Sequence, residues 1–470
     1  MVPPVKKKQE SSDAQSVIYL DNNATTLMPG KVIDALTAWC NRGNPSSEYA
    51  SAREARRMLD AFRQQIAVEC SFELKGPNAY AVVFTSGASE SNCHIVTSAV
   101  RSYAAKTGRL PHVVTSAAEH KSLLACCLRL ASERLCQLTV LPVGRAGPGL
   151  GAVDPADMAA SLRPNTCLVT IMAANNESGV LSNLREISKA TRKARVPFHT
   201  DAVQLFGKSA VRPTSLGVDA FSASFHKLGG PPGVGLLVLR RALIEGYNLC
   251  PHICGSQNEG LRGGTENLPG IGASFTAFRI AMVDRAEKSV RDRSKRDALK
   301  VALASRIPCF YLDDYPADQP PSIDGGITPP GPAPHNGSPN TRRAISLSKK
   351  NGTPVLFWVA PTDERRVLPN TLLLAVYRPG FCNKAARAAL EARGIIVSLG
   401  SACNSAEADH GEASSVVVAM GVPAALQGGV LRISLSDDTT ADDIKNFTAH
   451  FLTIITTDAC LSTEHLRSNT

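Results

Sequence analysis

The sequence predicts an α/β fold: a mostly parallel central sheet in a large domain, followed after about residue 275 by a second set of elements. Two observations carry this. From about residue 80, short apolar runs alternate with helix-like stretches, as expected when each parallel strand is returned by a covering helix. The polar clusters of the chain then fall just after those runs, and sheets of this class bind ligands outside the carboxyl ends of their strands.

The elements follow in order. Residues 1–17 read as a polar tail carrying Lys6, Lys7 and Lys8. Strands are expected at Ala81 to Thr85, His112 to Ser116, Leu138 to Val143, Cys167 to Ala173, Val196 to Thr200, Asp219 to Ser224 and Val234 to Leu239. The large domain is expected to span 18–275. Near Phe275 the pattern changes to a long charged helix, on which Arg285, Lys288, Arg291, Arg293, Lys295 and Arg296 alternate with acids and read as a solvated face. The small domain, 276–470, contains a Pro-rich insert at about 313–367 that reads as a disordered loop.

Composition narrows the function classes. A chain of 470 residues with 43% hydrophobic content can bury a sizeable core. Its apolar runs are all shorter than the ~18 residues of a membrane span, and the N-terminus reads as neither a secretory nor a mitochondrial signal, so no membrane association and a cytoplasmic location are expected. The thirteen cysteines follow no framework spacing and fit reduced thiols. Cys250 and Cys254 lack a second Cys or His pair at zinc spacing, so no metal is expected. The net charge of +10 is dispersed, without a nucleic-acid module or interleaved aromatics, and nucleic acid is not expected as a partner.

Lys227 is the most informative residue. It ends the run Asp219 to His226 and precedes a glycine-rich turn, Gly229 to Gly235. An amine at a strand end, partly desolvated, shifts its pKa readily and can form a Schiff base with a carbonyl, although most lysines there are simply solvated. Asp201, in His199-Thr200-Asp201-Ala202-Val203-Gln204, follows another strand. It suits either a helix cap or the carboxylate that keeps a pyridine nitrogen protonated.

These segments, with Tyr19 to Thr26, Asn44-Pro45-Ser46-Ser47, Phe84 to Asn92, Glu119-His120-Lys121-Ser122, Asn175 to Val180, Gly260 to Thr265 and Gly400 to Ser405, resemble in order those of the cysteine desulfurases. These are pyridoxal 5'-phosphate (PLP) enzymes of the class-V aminotransferase group and of transferase fold type I, and the elements after Phe275 resemble their smaller α+β C-terminal domain. The resemblance implies PLP as cofactor and L-cysteine as substrate. It also implies a homodimer and delivery of sulfur to an acceptor or scaffold protein, as in iron-sulfur cluster assembly.

Residue by residue, the resemblance makes Lys227 the cofactor's carrier and base, Asp201 the partner of the ring nitrogen, and His120 the imidazole that stacks on the ring and shuttles protons. Ala88 and Ser89, opening a helix after a strand, are implied to bind the phosphate, as helix N-termini do, together with Ser224, His226 and, from the neighbouring subunit, Thr265. Gln204 and Asn176 are implied to bond the cofactor's phenolic oxygen and its surroundings. Arg432 is implied to grip the substrate carboxylate with its planar fork. Cys403, among small polar residues rather than apolar neighbours, reads as an exposed, reactive thiol and is implied to receive the sulfur as a persulfide. Three alternatives stay open: a selenocysteine lyase, a relative acting on another amino acid, and a non-catalytic platform that binds partners through the insert.

Overall fold

The computed structural model describes residues 17–312, 345, 348, 352–399, 413–457 and 460. Cys403, the N-terminal tail and most of the Pro-rich stretch lie outside these residues. The chain enters through β1 (Ile18–Tyr19), which pairs in parallel with Ile395 and Ile396 near the other end of the sequence.

Seven strands form the central sheet: β2 (Tyr80–Thr85), β3 (His112–Ser116), β4 (Gln137–Leu141), β5 (Thr166–Thr170), β6 (Phe198–Asp201), β7 (Ala220–Ser224) and β8 (Gly235–Arg240). Each overlaps one of the expected apolar runs. Their spatial order is β2-β8-β7-β6-β5-β3-β4, with β8 antiparallel to both neighbours and the other pairs parallel.

The sheet is buried on both faces, so strand alternation sorts side chains into two cores. From β2, Tyr80, Val82 and Phe84 join one core, where Met58, Phe62 and Ile66 of helix Ala50–Glu69 cover them. Ala81 and Val83 join the other, against Ile95, Val96 and Val100 of helix Ala88–Thr107. Phe62 centres the first core, with ring centroids of Phe84, Phe225, Phe275 and Phe278 at 5.4, 5.4, 4.6 and 5.8 Å. β4 lies at the edge and keeps partial exposure.

A second sheet has the order β13-β11-β10-β9, from β9 (Cys309–Tyr311), β10 (Val355–Trp358), β11 (Thr371–Tyr377) and β13 (Val430–Ser434); β12 is the Ile395–Ile396 partner of β1. Its core joins Leu299 and Leu303 of helix Arg285–Ala304 to Phe447 and Phe451 of helix Ala441–Thr456. Ile18 and Leu20 pack there too, so residues 18–20 are bound to elements more than 270 positions further along the sequence.

Two expectations need correction. The segment assigned to the insert as far as residue 367 carries the buried strand β10, which pairs with β9 and β11. Ser348 is also buried and bonded to the Thr353 carbonyl at 2.6 Å, and Ile345 packs on the main core. The composition of the prolines had masked the run Val355-Leu356-Phe357-Trp358. On the charged helix, Arg296 is 1% exposed rather than solvated. It donates to the Leu368 carbonyl at 3.1 Å and pairs with Glu364 at 2.7 Å, an acid that Lys300 also contacts. Among the described residues no helix is long and apolar enough to cross a membrane.

Candidate active site

The carboxyl ends of β2, β3, β5, β6 and β7 open on one edge of the central sheet, where Lys227, His226, Ser224, Asp201 and His120 lie. After β7 the backbone tightens into a single 3-10 turn, Phe225–Leu228, that turns Lys227 back towards the N-terminal segment. Its Nζ donates to the carbonyls of Asn23 (2.9 Å) and Ala24 (2.6 Å). His226 meets the Thr25 hydroxyl through Nδ1 at 3.0 Å. Burial, with help from the nearby Lys227 and His120, pushes its pKa down to about 4, so the ring is neutral.

Asp201 ends β6, beside β7, and is 3% exposed. Its Oδ1 accepts from the Val203 N–H at 3.0 Å and its Oδ2 from Asn92 Nδ2 at 2.8 Å. Helical side chains lean towards the helix N-terminus, so Asn92, one turn inside helix Ala88–Thr107, reaches back over the sheet edge. In the sequence Asn92 stands only as the last residue of the motif Phe84 to Asn92.

His120 caps helix Lys121–Ser132 with Nδ1, which accepts from the Ser122 N–H at 3.2 Å. The proton of the neutral ring therefore sits on Nε2. Burial is the largest influence on this histidine and lowers its pKa; Lys227 and Lys121 act in the same sense against the opposing charge of Asp201. Next to it Glu119 is buried, accepting from the Met172 N–H at 2.8 Å and the Ser116 hydroxyl at 3.1 Å. Burial pushes its pKa up to about 8, so it is a neutral acid at pH 7. A small cavity is lined by Glu119, His120, Asn176, Glu177 and Ser415.

From the second sheet, Arg432 reaches the same edge, 1% exposed. It pairs with Asp21 at 2.6 Å and donates to the Asn176 carbonyl at 2.9 Å, while its buried Nε meets no partner among the described residues. Ser398 pairs with Arg432 backbone to backbone, and Ser414 donates to Glu177 at 2.5 Å. The described residues on either side of 400–412, the segment that includes Cys403, are thus tied to the residues around Asn176 and Arg432.

The opening of helix Ala88–Thr107 fits a phosphate. Gly87 occupies its N-cap with no side-chain cap, leaving N–H groups of the first turn for an anion. A Cβ at Gly87 would meet no atom within 4 Å, so the space beside it is open. Thr85, Gly235 and Ser224 lie in one row across β2, β8 and β7, which brings Ser224 level with this cradle. Together with a buried carboxylate at Asp201 and a lysine at the next strand end, the donor set suits a phosphorylated pyridine aldehyde. Ala88 is half-buried and Ser89 exposed at the cradle, and Thr265 is exposed on the loop before helix Leu268–Met282. Among the described residues no group of three His, Cys, Asp or Glu side chains is placed to hold a metal ion.

A family model, aminotransferase class V, matches residues 18–323. The chain belongs to this family. Class-V aminotransferases are PLP enzymes, and PLP is the cofactor of this one. The chain is 32% identical to the cysteine desulfurase IscS of Dictyoglomus turgidum, over 93% of either chain. It is 30% identical to the selenocysteine lyase of Bos taurus, again over 93% of either chain. A NifS-like protein from Rickettsia africae superposes with a TM-score of 0.69 at 26% identity, covering 93% of this chain and 99% of that one. The class-V fold is thus the α/β architecture expected from the strand pattern.

Proposed function

We propose that this class-V protein is a cysteine desulfurase that removes sulfur from L-cysteine and leaves L-alanine. The observation that carries the reading is the placement of Lys227 and Asp201 at the carboxyl ends of adjacent strands, with His120 and the uncapped helix N-terminus on the same edge. When bound, PLP supplies an aldehyde that captures amines and a ring that draws electron density from the neighbouring carbon.

The chain does the rest. Ala88, Ser89, Ser224, His226 and a partner subunit's copy of Thr265 hold the phosphate, while Asp201, steadied by Asn92, bonds the ring nitrogen. Gln204 and Asn176 would hold the phenolic oxygen and its surroundings, and His120, neutral with its proton on Nε2, would stand against the ring. Arg432 grips the substrate carboxylate with its planar guanidinium. Lys227, displaced by the substrate amine, takes the proton from Cα. The Cys403 thiolate then attacks the substrate sulfur: an S–S bond forms as the Cβ–S bond breaks, and the electron pair left on Cβ takes up a proton. The persulfide on Cys403 passes to an acceptor or scaffold protein. The shared Thr265 calls for a homodimer, and the reduced thiols fit the cytoplasm.

A second reading, selenocysteine lyase, is supported by comparable identity to the bovine enzyme of that name. Incubation with PLP and L-cysteine, with alanine and sulfide measured together, tests the reading: equal yields of both are expected, and Lys227→Ala should abolish them. Full activity of Cys403→Ala on L-cysteine would overturn the desulfurase mechanism in favour of a cysteine-independent lyase.

A further inference from the structure

Behind the candidate site lies a half-buried lysine, its ammonium turned onto buried amides, that the mechanism above does not use. Lys208 Nζ donates to Asn23 Oδ1 at 2.8 Å and to Gln204 Oε1 at 3.0 Å. Gln204 Nε2 in turn donates to the Asn23 carbonyl at 3.0 Å, the same oxygen that accepts from Lys227. Asn23 and Gln204 are 1% and 2% exposed. An ammonium only donates, so the amide oxygen of Gln204 must face Lys208. With one Nε2 hydrogen spent on Asn23, a single N–H is left for the cofactor side.

We propose that Lys208 is a positioning residue: its ammonium locks the amide of Gln204 so that an N–H, and never the carbonyl oxygen, meets the phenolic oxygen of bound PLP. The same ammonium fixes Asn23, whose main-chain carbonyl holds both Gln204 and Lys227. This rests on the reading of Gln204 as a cofactor contact.

Charge supports the assignment. The two acceptors are neutral amides. The charged groups facing Lys208 are Lys227 from the turn after β7, Arg432 from β13 and Asp292 from helix Arg285–Ala304. Burial, aided by Lys227 and Arg432 against Asp292, pushes the pKa of Lys208 down to about 7; the anionic phenolic oxygen of bound PLP acts in the opposite sense and favours the ammonium in the loaded enzyme. A cation held at such a disadvantage is a poor device for stability, and an apolar residue would serve packing better. Next to an anionic phenolic oxygen, one amide away, it has a purpose: it polarises the amide into a stronger donor.

The test reads the pH midpoint of the visible absorbance of the PLP-loaded enzyme. Removing a nearby cation favours the protonated form of the cofactor. Lys208→Met should therefore raise the midpoint by about one to two pH units, the size expected of a single charge roughly 6–12 Å away at an effective dielectric near 20. In a Gln204→Ala background the same substitution should move it far less, because the effect runs through the amide. Lys208→Arg, which keeps charge and donors, should hold the midpoint close to the wild-type value. An unchanged midpoint in Lys208→Met, or equal shifts in both backgrounds, would overturn the proposal. If the Met variant does not fold, Lys208→Gln carries the same expectations. A Lys227→Ala variant that keeps the full visible band would instead overturn the proposed function itself. Loss of that band, with no shift in Lys208→Met, would overturn only the role of Lys208.

Discussion

Replacing Gly235 by alanine should damage the cofactor site without touching any group that reacts. A Cβ at this position would stand 2.4 Å from the carbonyl carbon of Gly87, 2.5 Å from its Cα and 2.6 Å from Thr85 Oγ1. Ordinary contacts are near 3.5 Å, so the overlap is about 1 Å, and two of the three atoms are backbone. The helix entry at Gly87 has to move. Overpacking of this kind costs about 1–3 kcal/mol of stability. A displacement of about 1 Å also stretches the N–H contacts available to the phosphate, each worth about 1.5–3 kcal/mol when the acceptor is charged. Losing one of them corresponds to about a tenfold to hundredfold weaker PLP affinity. The assay is a PLP titration followed by absorbance, beside thermal melts of the apo-protein. Gly246→Ala is the control, since a Cβ there meets nothing within 4 Å. Wild-type PLP affinity and melting in Gly235→Ala would refute the placement of the phosphate cradle.

Three further outcomes are expected. Asn92→Ala removes a 2.8 Å donor from the buried Asp201 carboxylate and should lower stability by about 1.5–3 kcal/mol, less what the loss of its own unpartnered Oδ1 returns; an unchanged urea midpoint of the apo-protein would remove Asn92 from the site. Because the folded pKa of Glu119 is raised from 4.5 to about 8, its contribution is fully present below about pH 4.5 and is lost as pH rises towards 8. Glu119→Gln should therefore gain melting temperature over wild type near pH 8 more than near pH 5, and equal differences at both would contradict the buried neutral acid. If Thr265 serves a neighbouring subunit, the protein sediments as a homodimer and Thr265→Ala weakens PLP binding, whereas a monomer with wild-type PLP affinity would exclude the shared site.

The sequence by itself determined the sheet and most of the residues now proposed for the site. Buried parallel strands must be apolar on both faces, so β2, β3, β5, β6 and β7 were legible as continuous runs, and the polar clusters after them marked the edge where a ligand sits. Lys227 and Asp201 could be picked out because each follows such a run. What only the tertiary structure decided were the partners that come from far along the chain. Asn92 reaches Asp201 across 109 residues, Asp21 reaches Arg432 across 411, and Lys208 meets Asn23 across 185. No local pattern encodes such pairs, since amides, a lone acid and a lone lysine look like surface residues until folding buries them. For the same reason β10 stayed hidden among prolines: its short run becomes a strand through pairing with β9 and β11 on either side. Composition reports what a segment would do alone, whereas burial and cross-chain hydrogen bonds, which local sequence does not contain, decide what it does in the fold.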